Sequence, residues 1–472
     1  MRIVMKFGGS LLDNEKKILN VINIIKSYYS QNYEIVVVIS ALYGITDKIS
    51  DLCDDIKKIN RNSLNLFLQN IENIHIELVE QVIHEEKDKH QLLHLLKDLL
   101  NEFRDVLLGI SIIGDITPKY RDYLLSFGER LSTPIVSFAL KSTGIKSIYL
   151  NGKEVGILTD SNFGDAKPLM NTTKLRVHHK IEPLIKQGII PVVTGFIGCD
   201  QNGNATTIGR GGSDYSATII AASINASEVW LWGDVNGLMT ADTKIVKNAL
   251  VVEEVSFSEA LELSMFGSKY MHPRALEPVM DSKISVRIRN ANNIDHPGTL
   301  ITQLPTLTYN KTVKSITVIR NTALIDVSGG GLIGTPGTAA KIFDALAKNH
   351  VNIMMISQTP SESSITIVVK KQDLDKAIMT LELNFLGRLI KRIDVSENVA
   401  VIAVVGSGMR GIKGVAAKTF GAVAKRDINV IMITQGSSEL NLAFVIDDKN
   451  CEEAVNVLHQ EFINSNDLSA KS

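Results

Sequence analysis

Residues 323–381 and 400–458 superimpose on one another without a gap, and this internal repeat constrains the chain more than any other feature. Gly334 falls on Gly411, Ala340-Lys341 on Ala417-Lys418, Phe343 on Phe420 and Asn352 on Asn429. Met355-Ile356 falls on Met432-Ile433, Gln358 on Gln435, and Ser361-Glu362 on Ser438-Glu439. Each copy reads strand, glycine turn, helix, strand, turn, strand, helix. A solenoid buries its faces by stacking at least three such units, so two copies alone predict a duplicated small α/β sandwich. At 472 residues the whole chain exceeds what one core supports, and roughly two to four domains are expected.

Ahead of the repeat the texture differs. Ile3 to Phe7 is an apolar strand running into Gly8-Gly9-Ser10, after which a helical pattern begins. Glu34 to Ser40 (EIVVVIS) is continuous and β-branched, as in a strand buried on both faces of a parallel sheet. Residues 46–110 read as helix almost throughout, with Leu92, Leu93, Leu95, Leu96, Leu99 and Leu100 at mixed spacings of three and four. Strand patterns return at Ser147 to Leu150, Ile189 to Thr194 and Glu228 to Trp232. Alternating strands and helices predict an α/β domain with a largely parallel sheet, ending near Gly298 to Ile301 with a link around Pro305.

Bulk chemistry excludes several classes of partner. The formal net charge of −1 provides no basic field for nucleic acid or an anionic membrane. No apolar run approaches the 18 residues of a membrane span, and Met1 to Lys6 is too short for a signal peptide. Cys53, Cys199 and Cys451 stand far apart, without the spacing of a disulfide framework or a metal site. A cytoplasmic location is expected.

Five short motifs are candidates for chemistry. In Lys6-Phe7-Gly8-Gly9-Ser10 the glycines let backbone amides approach phosphate oxygens, and a following helix N-terminus adds partial positive charge. The spacing of a Walker A loop is absent. Thr207-Ile208-Gly209-Arg210-Gly211-Gly212-Ser213-Asp214 is a second glycine-rich turn, with helix following from Tyr215. Arg210 can grip a carboxylate and Asp214 an ammonium, unless Ser213 or Asp214 simply caps that helix. Phe127 to Ser132 contains Glu129, which taken alone reads as a solvated acid at a helix start. Trp232 to Gly237 closes a strand with Asp234 beyond it, and Phe266 to Pro273 carries Lys269 on a helix and turn.

Taken in order with SALYGIT at 40–46, TGFIG at 194–198 and WGDVNGLMTAD at 232–242, these motifs resemble the aspartate kinases of the amino acid kinase family. The resemblance runs from Met1 to about Phe462. It implies an αβα sandwich with a largely parallel sheet over 1–303, including a helical subregion at 46–110. Ferredoxin-like ACT domains are implied at 313–390 and 397–465. By the same resemblance Lys6 stabilises the transferred phosphoryl group, and Gly8, Gly9 and Ser10 line the phosphates. Ser40, Thr46, Glu129, Arg210, Ser213 and Asp214 bind aspartate, with Lys6, Arg210 and Asp214 forming the catalytic set. Gly233, Asp234, Lys244 and Lys269 contact the nucleotide. ATP is the implied co-substrate, with Mg²⁺ held mainly by its phosphates and no dedicated protein metal site.

Three positions depart from the family pattern: Gly233 stands for the usual threonine, Met239 for tyrosine, and Thr243-Lys244 for Pro-Arg. The ACT pair implies an amino-acid effector bound near Asn352, Ile353, Gln358, Asn429 and Gln435, and a homodimer or larger assembly. Met354 stands where lysine-sensitive relatives place an acid, so threonine is expected over lysine as the inhibitor. The chemistry needs no general base, because a β-carboxylate with a pKa of about 3.9 is already an ionised nucleophile.

Other patterns read as structural. Gly406 to Gly411 and Gly329 to Gly334 both match GxGxxG, but no acidic residue ends the strand that follows and each unit is too short for a dinucleotide fold. His90 and His94 have metal-pair spacing on a charged helix and read as a solvated face; Met354-Met355 reads as sheet core. No homoserine dehydrogenase half is expected.

Overall fold

The computed structural model describes residues 1–57, 60–266, 271–305 and 312–464. The chain forms two compact units, one of Met1–Leu238, Glu253–Phe257 and Lys269–Pro305, the other of Met239–Val252, Ser258–Ser268 and Thr306–Ser472.

Among the described residues ten strands belong to the first unit: β1 (Arg2–Phe7), β2 (Glu34–Ile39), β3 (Ser147–Leu150), β4 (Ile190–Thr194), β5 (Ile197–Cys199), β6 (Ala205–Thr207), β7 (Glu228–Gly233), β8 (Glu254–Ser256), β9 (Ser285–Asn290) and β10 (Thr299–Thr302). Eight of them form one sheet in the order β3-β4-β2-β1-β7-β9-β10-β8, while β5 and β6 pair separately. Among the described residues only β9 and β10 run antiparallel within the large sheet. The continuous apolar runs have the cause expected of them: Ile3, Val4, Met5 and Phe7 of β1 and Val36 to Ile39 of β2 are wholly buried, with helices on both faces. Helix Glu15–Ser30 lays Ile18, Val21, Ile22 and Ile25 into that core at helical spacing. The helical subregion resolves into Ile45–Asp55, Arg61–Val82 and Glu86–Ile113, the last ending at left-handed Gly114.

One expectation is corrected. No helix starts at Gly8 to Ser10; Gly9–Leu11 is a single 3₁₀ turn, and the helix begins at Glu15. Asn14 sets that start by accepting the Lys17 amide at 3.1 Å. The dipole of this helix is therefore one turn removed from the glycines.

The second unit holds β11 (Ser315–Ser328), β12 (Ile353–Gln358), β13 (Ser364–Lys370), β14 (Arg392–Val405), β15 (Met432–Thr434) and β16 (Asn441–Asp447) in one antiparallel sheet, ordered β12-β13-β11-β14-β16-β15. The repeat is visible in detail. Gly334 and Gly411, Gly337 and Gly414, and Glu362 and Glu439 are all left-handed pairs. Glu362 accepts the Gly334 amide at 2.9 Å, and Glu439 the Gly411 amide at 2.6 Å. The second copy's edge strand, Met432–Thr434, is shorter than its counterpart Ile353–Gln358 in the first.

Two segments from within the 1–303 span pack in this second unit. Ala241 and Val246 join the core of the second repeat with Ile402, Val404, Phe444 and Leu458. Thr240 meets His459 Nε2 at 2.9 Å, and its carbonyl accepts the Ile316 amide at 2.8 Å. Helix Phe257–Met265 contributes Glu259, fully buried, whose carboxylate pairs with Lys314 at 2.9 Å and accepts the Ser407 amide at 2.7 Å. The GxGxxG turn at Gly406 therefore serves as a clasp for a protein carboxylate. His90 and His94 are exposed on their helix, and Met355 is buried in the sheet.

Candidate active site

The site is built where β1, β2 and β4 end. Phe7 lies opposite Ile39, and Ile39 opposite Thr194, so Gly8, Ser40 and Gly195 leave the sheet at one level. In an open, mostly parallel sheet the carboxyl ends of the strands are where ligands bind. Close backbone approach explains the glycines: a Cβ on Gly9 would stand 2.8 Å from the Ala41 carbonyl, and one on Gly195 2.6 Å from Ser213. Directly after Gly195, Phe196 holds a left-handed φ of 64°, a strained conformation for an aromatic residue.

A cavity of about 430 Å³ opens here, lined by Lys6, Ser40, Thr46, Glu129, Arg210, Ser213 and Asp214. All six residues expected to bind substrate are thus brought together with the lysine. Lys6 Nζ pairs with Asp214 Oδ1 at 2.7 Å, with side-chain exposures of 15% and 12%. Gly211 is the left-handed N-cap of helix Gly212–Ser223, which has no side-chain cap. Ser213 and Asp214 therefore lie inside the first turn; Asp214 engages Lys6 and leaves the helix's amide end bordering the cavity. The His272 backbone and side chain support this turn from behind, where a Cβ on Gly211 would come within 2.2 Å of His272 Cβ. Arg210 is exposed and makes no ion pair among the described residues.

Glu129 is not the solvated acid that its local sequence suggests. It sits in helix Phe127–Ser142, is 3% exposed, and its Oε2 has no hydrogen-bond partner among the described residues. Burial pushes its pKa up to about 8, against the opposing pull of the Ala41 and Glu129 amides and the Lys6 charge. The helix approaches closely because position 128 is glycine; a Cβ there would stand 2.9 Å from that of Ala41 and 3.2 Å from Thr46 Oγ1. Ser132 donates to the Ser40 carbonyl at 2.7 Å and fixes the same junction.

The motifs alone left out Asp47, Ser50, Arg121 and Asp122, which also line the cavity. Arg121 bonds Asp54 at 2.5 Å and Ser50 at 2.8 Å, bracing the helix that carries Thr46. Asp122 is completely buried. The available signal was a charged pair entering the apolar run Leu124-Leu125-Ser126-Phe127 two helical turns ahead of Glu129.

Of the residues expected to contact a nucleotide, Gly233 ends β7 beside Gly8, because Trp232 pairs in register with Phe7. A side chain at Gly233 would meet open space, so the missing threonine reflects no steric constraint. Asp234 is exposed. Lys244 is exposed within the second unit, its amide bonded to Asp242 at 2.8 Å, and Lys269 lies outside the described residues. Among the described residues no three His, Cys, Asp or Glu side chains are grouped to hold a metal. No helix among them is long and apolar enough to cross a membrane.

In the first repeat Gln358 lines a cavity of about 370 Å³ with Gly334, Thr335, Thr338 and Glu362. Asn352 and Ile353 stand at the start of β12, and Asn429 and Gln435 flank β15; none of these four lines that cavity.

Comparison with known proteins agrees with this architecture. The model of the amino acid kinase family matches residues 1–290, and that of the ACT domain matches 325–385 and 402–462. A bifunctional aspartokinase/homoserine dehydrogenase 2 of Arabidopsis thaliana is 32% identical over 97% of this chain, which spans 50% of that relative's length. Aspartokinase 1 of the same plant is 29% identical, covering 99% of this chain and 81% of its own. The crystal structure of E. coli aspartokinase III in complex with aspartate and ADP superimposes with a TM-score of 0.81 at 26% identity, covering 98% of this chain and 99% of that one. With its largely parallel sheet, its glycine-lined cavity at the strand ends and a match over residues 1–290, the chain belongs to the amino acid kinase family and carries two ACT domains behind the kinase fold.

Proposed function

We propose that this chain is an aspartate kinase that transfers the γ-phosphoryl group of ATP to the side-chain carboxylate of L-aspartate, giving 4-phospho-L-aspartate. The observation that carries the reading is the buried Glu129 carboxyl, one oxygen unpartnered, in the same cavity as the Lys6–Asp214 pair and an uncapped helix end. A desolvated carboxylate calls for a cation, and Lys6, the lysine whose charge acts on it, is already paired with Asp214. A substrate ammonium meets that need, and the exposed guanidinium of Arg210 suits a carboxylate of the same molecule. E. coli aspartokinase III holds aspartate and ADP on this fold.

The second carboxylate of aspartate attacks phosphorus as the ionised form, so the protein's task is to overcome repulsion between two anions. Lys6, the amides around Gly8 and Gly9 and the helix end at Gly212 do this with charges fixed before substrate arrives. Magnesium carried on the nucleotide phosphates supplies further positive charge. Gly233, Asp234, Lys244 and Lys269 are assigned to nucleotide contacts.

Acyl phosphate trapped with hydroxylamine tests this directly, with aspartate, glutamate and N-acetylglutamate in parallel and with ATP and Mg²⁺ each omitted in turn. Product from aspartate alone, requiring both, is the expected result. Product only from another acceptor overturns the assignment.

Glu129 gives the reaction a pH signature. Its pKa is raised from 4.5 to about 8 in the folded protein. Its contribution to stability is therefore complete below about 4.5 and is lost as pH rises towards 8. Ammonium binding needs the ionised form, so kcat/KM for aspartate is expected to rise about tenfold per unit between pH 6 and 7.5. Glu129→Gln should lower kcat/KM and flatten the slope; an equally steep profile in the variant removes Glu129 from the assignment.

For the ACT pair we infer feedback by an amino acid of the same biosynthetic branch, threonine ahead of lysine, and assembly as a homodimer or larger. Asn352, Ile353, Gln358, Asn429 and Gln435 are the assigned contacts. Threonine is expected to inhibit initial rates at concentrations where lysine has less effect. Rates indifferent to millimolar levels of both leave the ACT pair as a purely structural element. The three free, buried cysteines suit a reducing cytoplasm.

A further inference from the structure

We propose that Asp122 is a positioning residue for the acceptor substrate, holding the Thr207–Asp214 turn at the level from which Arg210 grips a substrate carboxylate. The role of Arg210 in this inference rests on the aspartate kinase reading; the positioning itself does not.

Asp122 has no exposed surface, although its helix Pro118–Leu125 borders the cavity. Its Oδ2 accepts the Thr207 amide at 2.8 Å and the Gly164 amide at 2.9 Å, and its Oδ1 accepts the Thr207 hydroxyl at 2.8 Å. One carboxylate thus ties a helix to the last residue of β6 and to the loop around Gly164. That loop makes a second connection to the same turn, the Ala166 amide donating to the Thr207 carbonyl at 3.0 Å. Asp165 bonds Arg274 and stands over left-handed Gly209, where a Cβ would come within 2.4 Å of its Oδ1. Both hydrogen-bonded restraints act on Thr207, three residues before Arg210, and Asp165 lies close to Gly209, immediately before it. Arg210 is exposed and without an ion pair among the described residues, so the backbone of this turn is what aims it.

Burial raises the pKa of Asp122, while the bonds from Thr207 and Gly164 pull it down. With its oxygens committed to these donors, Asp122 has no role as a proton acceptor, and an ionised nucleophile requires none. Its contribution is geometric, and a misplaced gripping group is felt first in substrate affinity.

Asp122→Ala is expected to raise KM for aspartate about tenfold, with kcat and KM for ATP within about threefold of the parent. Asp122→Asn keeps one oxygen for the two backbone amides and a polar group opposite Thr207 Oγ1. It should return KM for aspartate to within about threefold. Thr207→Val removes only the hydroxyl bond and should raise the same KM about threefold to fivefold. Hydrogen exchange across residues 207–214 provides a readout independent of substrate, expected to quicken in Asp122→Ala and Thr207→Val while β1 and β2 keep their protection.

An unchanged KM for aspartate in Asp122→Ala, an equal rise in KM for ATP, or an asparagine variant as impaired as alanine each overturns the proposal. If Asp122→Ala does not fold, the Asn and Val variants decide, and unchanged KM and exchange in Thr207→Val overturn it. A parent enzyme inactive on aspartate refutes the functional reading, and the exchange measurement still judges the positioning.

Discussion

Lys6→Ala is expected to lower turnover of aspartate at least about a hundredfold while leaving the protein folded. The lysine projects from the end of β1, the strand between β2 and β7 at the centre of the sheet, and its backbone register does not depend on its side chain. Its ammonium lies 2.7 Å from Asp214, at a cavity wall where both groups keep some solvent contact. The structural loss is therefore that of one partly screened ion pair, about 1 kcal/mol. The catalytic loss is larger, because a preorganised cation acts where charge builds up in the transition state, and removing one such group typically costs about 3 kcal/mol. A second effect follows from Glu129. Lys6 pulls the Glu129 pKa down, so its removal pushes that carboxyl further up and raises KM for aspartate near neutral pH. Hydroxamate formation and a thermal melt on the same sample separate the two effects. A variant that retains more than a tenth of parental turnover would remove Lys6 from phosphoryl transfer.

The second large effect concerns the clasp in the second unit. Glu259 is wholly buried, its Lys314 partner has 12% side-chain exposure, and the Ser407 amide bonds the same carboxylate. Alanine at 259 takes this acceptor from a buried ammonium and a backbone donor, a loss of about 1–3 kcal/mol. Hydrogen exchange in residues 400–464 is the appropriate measurement, because a chain of several domains has no single unfolding free energy. The expected result is accelerated exchange across β14 and β16 with β1 and β2 unaffected. Replacing both charges, as Glu259→Leu with Lys314→Met, should recover much of the loss, since a buried pair owes most of its apparent worth to the cost of breaking it. Parental exchange in the single variant would mean that the clasp carries no load.

Much of this fold could be read locally. The runs IVM in β1 and IVVVI in β2 are apolar at every position because both faces of the sheet are covered, a burial pattern that neighbouring residues record directly. The duplication was equally legible, since left-handed Gly334 and Gly411 recur wherever the same turn must be made. The side chains that line the cavity, Lys6, Glu129, Arg210 and Asp214 among them, stand in recognisable motifs for a related reason. Each stands within a few residues of a glycine at which an added Cβ would meet a neighbouring segment, Gly9 and Gly128 against Ala41 and Gly211 against His272 among them.

What only the tertiary structure decided depended on distance along the chain. By local pattern Glu129 is a surface acid; it is buried because Gly128 lets its helix close on Ala41, more than eighty residues earlier in the chain. Asp122 acquires its meaning from Thr207, 85 residues away, and Glu259 from Ser407, 148 residues away. The start of the first helix at Glu15 is a local matter, settled by the Asn14 cap. Periodicity and turn chemistry report forces that act over a few residues. Desolvation, and the pairing of buried charges and amides, are set by whichever segment packs alongside, and no local pattern names that segment.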